Sequence, residues 1–249
     1  MTTRLPLLLA AIALSALTLA PAPGQAPAAL DRALRLIADA RQRYEKLDDY
    51  TCTLVKRESV NGQMLPENVI FLEARTRPFS IHLKWQQPKA LAGQEACYVS
   101  GKHNGMMRVK PPGLLGAMGF VNLPTNDAKA KQYSRHAISD AGIGNMIERY
   151  AARWEAERGQ NRVRMKLNEF EFNGRKCVRV ETTNVNAKPG EVYAYRSMVY
   201  FDKEHRLPIR TEAYDWPKEG GKPDGELLEV FNLTDLKLNV GLADAVFAH

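Results

Sequence analysis

Residues 163–183 read VRMKLNEFEFNGRKCVRVETT. Val163, Met165 and Leu167 alternate with Arg162, Arg164 and Lys166, and the strand continues through Phe170 and Phe172. A period of two is the signature of a strand with one face on a core. Asn173-Gly174 then interrupts it, and both residues tolerate the positive φ that a two-residue hairpin turn demands. Lys176 to Thr183 is the expected return strand. This hairpin sets the pattern for what lies on either side. Downstream, Tyr195–Phe201 and Leu207–Trp216 flank a turn at Asp202-Lys203-Glu204-His205, and Leu227–Leu238 makes a last strand. Upstream, short strands are expected at Thr51–Glu58, Val69–Thr76, Ser80–Trp85 and Ala96–Ser100.

Only two segments carry the helical period. Leu30, Ala33, Leu34, Ile37, Ala40, Tyr44 and Leu47 form one stripe, and Ile143, Met146, Ile147, Tyr150, Ala151 and Trp154 form another. Ser139 or Asp140 is the expected cap of the second helix, and Gly142 and Gly144 are read as loosening its start. Strands in hairpin order with two amphipathic helices predict an α+β fold, an antiparallel sheet with helices against one face.

The chain has 249 residues, 45% hydrophobic and 25% charged, with a formal net charge of +7. These are the proportions of a globular protein. Arg4 followed by the apolar run Leu5–Ala20, with Ala26-Pro27-Ala28 behind it, reads as a signal peptide over residues 1–28. A single domain is expected over 29–249, placed in the periplasm or secreted. No later apolar run is long enough to span a bilayer, so an integral membrane protein is not expected. The basic charge is spread along the chain without a nucleic-acid-binding signature, so no nucleic acid partner is expected either.

Chemistry is scarce. The sequence holds no G-x-S-x-G elbow, no phosphate-binding loop and no H-E-x-x-H, and its five histidines lack metal-ligand spacing. A non-enzymatic protein without cofactor or metal is the expectation. Cys52, Cys97 and Cys177 allow one disulfide in an oxidising compartment, with Cys52–Cys177 the pairing expected and three buried thiols the alternative. Leu114, Leu115, Met118 and Phe120 are spaced by Gly113, Gly116 and Gly119, and with Met146 they offer soft apolar lining. Leu114–Phe120 is read as a lid gating an apolar cavity, and plain core packing is the alternative.

Tyr50-Thr-Cys52-Thr-Leu-Val-Lys56-Arg57-Glu58 and Arg77-Pro78-Phe79-Ser80 resemble the opening of a family of exported bacterial proteins of unknown function. The likeness continues at Gly142–Arg149, Tyr200–Asp202, Leu207–Arg210 and Ala213–Pro217. The layout also resembles the periplasmic lipoprotein carriers LolA and LolB and the related domain of envelope-stress sensors. That resemblance implies a curved antiparallel half-barrel with helices packed on or in its concave side. It implies a ligand too, a lipid or a lipidated protein whose acyl chains lie in the cavity. The alternative is a module that binds an envelope protein partner on the same fold, without lipid cargo.

Overall fold

The computed structural model describes residues 25–249, with side chains from Ala28. The expected leader, residues 1–28, therefore lies outside the described residues except for 25–28. Twelve strands form one antiparallel sheet. They are β1 (Asp49–Val60), β2 (Gln63–Met64), β3 (Asn68–Arg75), β4 (Ser80–Gln87), β5 (Glu95–Val99), β6 (Met106–Lys110) and β7 (Val121–Pro124), then β8 (Val163–Phe172), β9 (Arg175–Asn184), β10 (Arg196–Asp202), β11 (Pro208–Tyr214) and β12 (Leu227–Leu238). The helices are α1 (Gln25–Tyr44) and α2 (Ile143–Glu155). The strand order is β7-β6-β5-β4-β3-β1-β12-β11-β10-β9-β8, with β2 paired to β1 alone.

This order follows from hairpins. The chain starts at the middle of the sheet, steps outward strand by strand to β7, crosses to the opposite edge at β8, and steps back inward to β12. The seam between β1 and β12 joins the first and last strands of the chain, whereas every other junction is made by strands adjacent in sequence or, for β1 and β3, separated only by the short β2. The β8–β9 hairpin has Phe172 opposite Arg175, so Asn173 and Gly174 form the turn, with φ of 49° and 71°. These are the values of a type I′ turn, whose twist matches the strands it joins.

Alternation sorts the side chains onto two faces. Tyr50, Cys52 and Leu54, Ile70 and Leu72, Ile81 and Leu83, and Val199 and Phe201 face inward, where both helices pack. Each helix buries the stripe read from sequence: Leu30, Ala33, Leu34, Ile37 and Ala40 on α1, and Ile143, Met146, Ile147, Tyr150, Ala151 and Trp154 on α2. The sheet curves around them as an α+β half-barrel, the expected class.

Local details depart from the expectation at the start of α2. The Tyr50 hydroxyl accepts the Ile143 N–H at 2.9 Å, filling the role expected of Ser139 or Asp140. Gly144 is required by proximity rather than by looseness. A Cβ there would sit 2.5 Å from the Tyr44 ring, so the missing side chain lets α2 close onto α1. The strands β6 and β7, on either side of Leu114–Phe120, extend the sheet beyond the strands expected from sequence.

The expected Cys52–Cys177 bridge is not formed, and all three cysteines are free and buried. Cys52 lies on β1 and Cys177 on β9, with β12, β11 and β10 between them. Four strand spacings amount to about 19 Å, whereas a disulfide needs Cα atoms within about 7 Å. The two thiols also serve different clusters on opposite faces of the sheet.

Candidate functional site

One half of the concave face, from β7 to β12, is not filled by the helices. Leu54, Ile70, Leu72, Leu83 and Trp85 form the floor, with Met107 and Val109 toward the edge and Phe231 and Leu233 across the seam. Met146 and Tyr150 of α2 make one wall. The remaining wall is residues 125–142, the first part of the crossover between β7 and β8, which passes over the floor and contributes Tyr133, His136, Ala137 and Ile138. The cavity, partly open to solvent, measures about 470 Å³, within the roughly 300–1,000 Å³ of small-molecule sites. No residue of 125–142 is itself buried. This segment is a roof with a void beneath it.

Polar contacts fasten the roof to the floor. Glu58 and Glu229 are directly opposite one another across the β1–β12 seam, both pointing inward and both buried. Glu58 accepts hydrogen bonds from Lys56 at 2.5 Å, from the Arg135 main-chain N–H at 2.9 Å and from the Ser134 hydroxyl at 3.1 Å. Glu229 takes hydrogen bonds from His136 Nε2 at 2.7 Å and from the Tyr193 hydroxyl. Arg149 donates to His136 Nδ1 at 3.3 Å, which identifies Nδ1 as the acceptor and leaves Nε2–H to donate to Glu229. The Arg135 guanidinium reaches the Ser59 carbonyl and the Tyr193 hydroxyl, both at 2.8 Å.

Burial pushes Glu229 upward, but the hydrogen bonds from His136 and Tyr193 and the charge of Arg149 outweigh it. The carboxyl is held below the usual range. Burial and the Glu229 charge raise Tyr193, keeping its hydroxyl a donor. Two like charges side by side on a sheet repel, and here donors from the roof, together with Lys56 and Tyr193, make the pair tolerable. Ligand atoms of Glu58, His136 and Glu229 lie within 4.8 Å of one another, a metal-like grouping that is also hydrogen-bonded to Lys56, Arg135, Ser134, Tyr193 and Arg149.

Of the residues singled out in the sequence, Met146 lines the cavity. Leu114, Leu115 and Met118 do not; they stand 95%, 62% and 73% exposed on the short helical turn Gly113–Met118. Phe120 stacks on His249, with ring centroids 4.4 Å apart. The segment covering the cavity is 125–142, not 114–120. Sequence reasoning missed Glu58, Glu229, Arg135 and Tyr193. A signal was available for Glu58 and Lys56, since both keep the inward phase of Tyr50, Cys52 and Leu54, where charge is out of place unless partnered.

An open antiparallel half-barrel with two helices and an apolar cavity on its concave face defines the α+β fold of this chain. The chain belongs to the DUF1571 family, described as a protein of unknown function, whose model matches residues 47–249. This agrees with the resemblance carried by residues 50–58 and 142–149. No curated protein matches the chain. Among solved structures, it is similar to an uncharacterised conserved protein from Thermus thermophilus, at 11% identity over 88% of this chain and 93% of that one, with a TM-score of 0.50. That likeness is one of fold. Looser similarities include the lipoprotein LppX of Mycobacterium tuberculosis, at 12% identity over 86% and 98% of the two chains with a TM-score of 0.48. Another is a LolA superfamily protein from Nitrosomonas europaea, at 12% identity over 86% and 96% with a TM-score of 0.37. Among the described residues, no helix is long and apolar enough to cross a membrane.

Proposed function

We propose that this protein is a non-enzymatic binding protein of the cell envelope that shelters an acyl chain, carried by a lipid or a lipidated protein. The reading rests on the roofed cavity. Its floor is aliphatic and aromatic, so water gains little there, while each methylene transferred into it contributes roughly 0.8 kcal/mol. Arg149, Arg153 and Lys129 also line it and would face an anionic headgroup, with Arg153 held 5.4 Å from the ring centres of both Tyr150 and Tyr193. Location in the periplasm, or secretion, is proposed from the leader read at residues 1–28. The gate of such a site is residues 125–142, because this wall is secured by side chains rather than by a strand ladder.

The test is displacement of a fluorescent fatty acid, together with native mass spectrometry of the purified chain. Saturable binding, weakened at least tenfold by Leu83→Phe with its larger ring over the floor, is the expected outcome. Absence of bound acyl species and of probe binding to the wild-type chain would refute it. The second reading, a module that docks an envelope protein, is favoured by one observation, the exposed Leu114, Leu115 and Met118. It predicts that serine at these three positions abolishes partner binding while probe binding is unchanged.

A further inference from the structure

The convex face carries a side-chain cluster separate from the cavity. Because Ile81 and Leu83 of β4 face inward, His82 between them points outward, and it is 6% exposed. Its Nδ1 meets Glu73 Oε2 of β3 at 3.0 Å, and its Nε2 meets Glu95 Oε2 of β5 at 3.0 Å. The chain beyond β12 returns over this face. The Asp49 carboxylate accepts the N–H groups of Val240, Gly241 and Leu242 at 2.6, 3.2 and 2.7 Å. Asp244 pairs with Arg75, and Phe247 is buried against Cys97 and Val99. This path brings His249 to His82, with ring centroids 5.1 Å apart, and Phe120 stacks on its other side.

One ligand atom each from His82, Glu95 and His249 thereby falls within 4.8 Å of the others. Two nitrogens and a carboxylate oxygen are a donor set that zinc and similar divalent ions take. Glu73 supplies a further part of such a site: a carboxylate on Nδ1 fixes the imidazole tautomer that turns the Nε2 lone pair toward the ion. Donors about 2.0–2.1 Å from a tetrahedral ion lie about 3.3 Å from each other, and the Nε2 to Oε2 separation is already 3.0 Å. Lys110 holds the second oxygen of Glu95, Oε1, at 3.0 Å, leaving Oε2 for the ion.

We infer that His82, Glu95 and His249 form a binding site for a divalent transition cation, zinc being the best match, which pins the segment after β12 to the outer face of the sheet. The site lies across the sheet from the cavity and is independent of what the cavity holds.

The experiment uses the untagged chain, stripped with chelator and titrated with zinc alone by calorimetry. One equivalent binding with a micromolar or lower Kd is expected, with a higher Tm in zinc than in chelator. His249→Ala, a change on the partly exposed tail that leaves the core intact, should remove the binding and the Tm shift, while the Tm in chelator stays the same. Glu95→Gln should weaken binding at least tenfold, and His205→Ala, on a distant turn, should leave it unchanged. Absence of saturable binding would overturn the inference. So would a stoichiometric site that survives both His249→Ala and Glu95→Gln.

Discussion

Replacing Glu229 with glutamine tests whether the roof is latched by charge. The substitution keeps the shape of the side chain and removes the negative charge that receives His136 Nε2–H at 2.7 Å and the Tyr193 hydroxyl. Hydrogen bonds to a charged group contribute about 1.5–3 kcal/mol each, against about 0.5–1.5 for neutral ones. Neutralising the acceptor of two such bonds therefore costs about 2–3 kcal/mol. Relief of repulsion from Glu58, directly across the seam, returns about 0.2–1 kcal/mol. The net loss is about 1–3 kcal/mol, a factor of about 5–150 in the opening equilibrium. Native-state hydrogen exchange reads this directly. Amides of 125–142 should exchange about 5–150 times faster in Glu229→Gln, while those of the hairpin 163–184 keep their wild-type rates. Unchanged exchange in the roof would refute the latch, and equal acceleration in the hairpin would show a global loss of stability instead.

Other consequences can be measured on the same protein. Glu229 has its carboxyl held below the ordinary value, so its contribution is complete above about pH 4.3, the unfolded glutamate range, and is lost as pH falls through the native value; exchange in 125–142 should rise in acid before that of the hairpin. Trp154 is fully buried against Tyr150 and Phe201, at ring-centre distances of 5.5 and 6.3 Å, so Trp154→Ala should lower unfolding stability by about 3–5 kcal/mol in denaturant titration. Trp154→Phe should cost markedly less, since the indole N–H has no partner and losing a stranded donor returns about 1–3 kcal/mol. Burial pushes Cys97 and Cys177 up to about 11 and Cys52 further still, so a thiol reagent at pH 8 should label all three only at the rate of unfolding; rapid labelling of any one of them would contradict its buried placement.

The hairpins and helices were legible because their signals are local. Alternation across 163–183 and the Asn-Gly turn fix one face and one register, and the two helical stripes need a sheet to cover. The strands β6 and β7 were not legible, being five and four residues long and separated by Pro111, Pro112 and three glycines. The roof was sought in the wrong segment for a physical reason. Leu114, Leu115 and Met118 are apolar and so invite burial, yet they are exposed, while the actual cover contains Lys129, Ser134, Arg135 and His136 and reads as an ordinary polar loop. Polarity is what the cover needs, because it is anchored by hydrogen bonds to carboxylates. Glu58 and Glu229 meet only once β1 and β12 pair, and no local pattern relates residues so far apart.

The central seam also bears on how the molecule comes into being. Each outer half of the sheet is a run of neighbouring hairpins that can zip locally, but β1 must wait for β12, made after the other eleven strands. Until they join, the cavity lacks part of its floor and the two glutamates do not face the roof together. A slip of one residue in the pairing would turn Glu229, Phe231 and Leu233 to the other face. His136 and Tyr193 would then have no carboxylate to meet, so roof closure reports that the seam has formed in register. Docking β12 and completing the chamber floor are the same event.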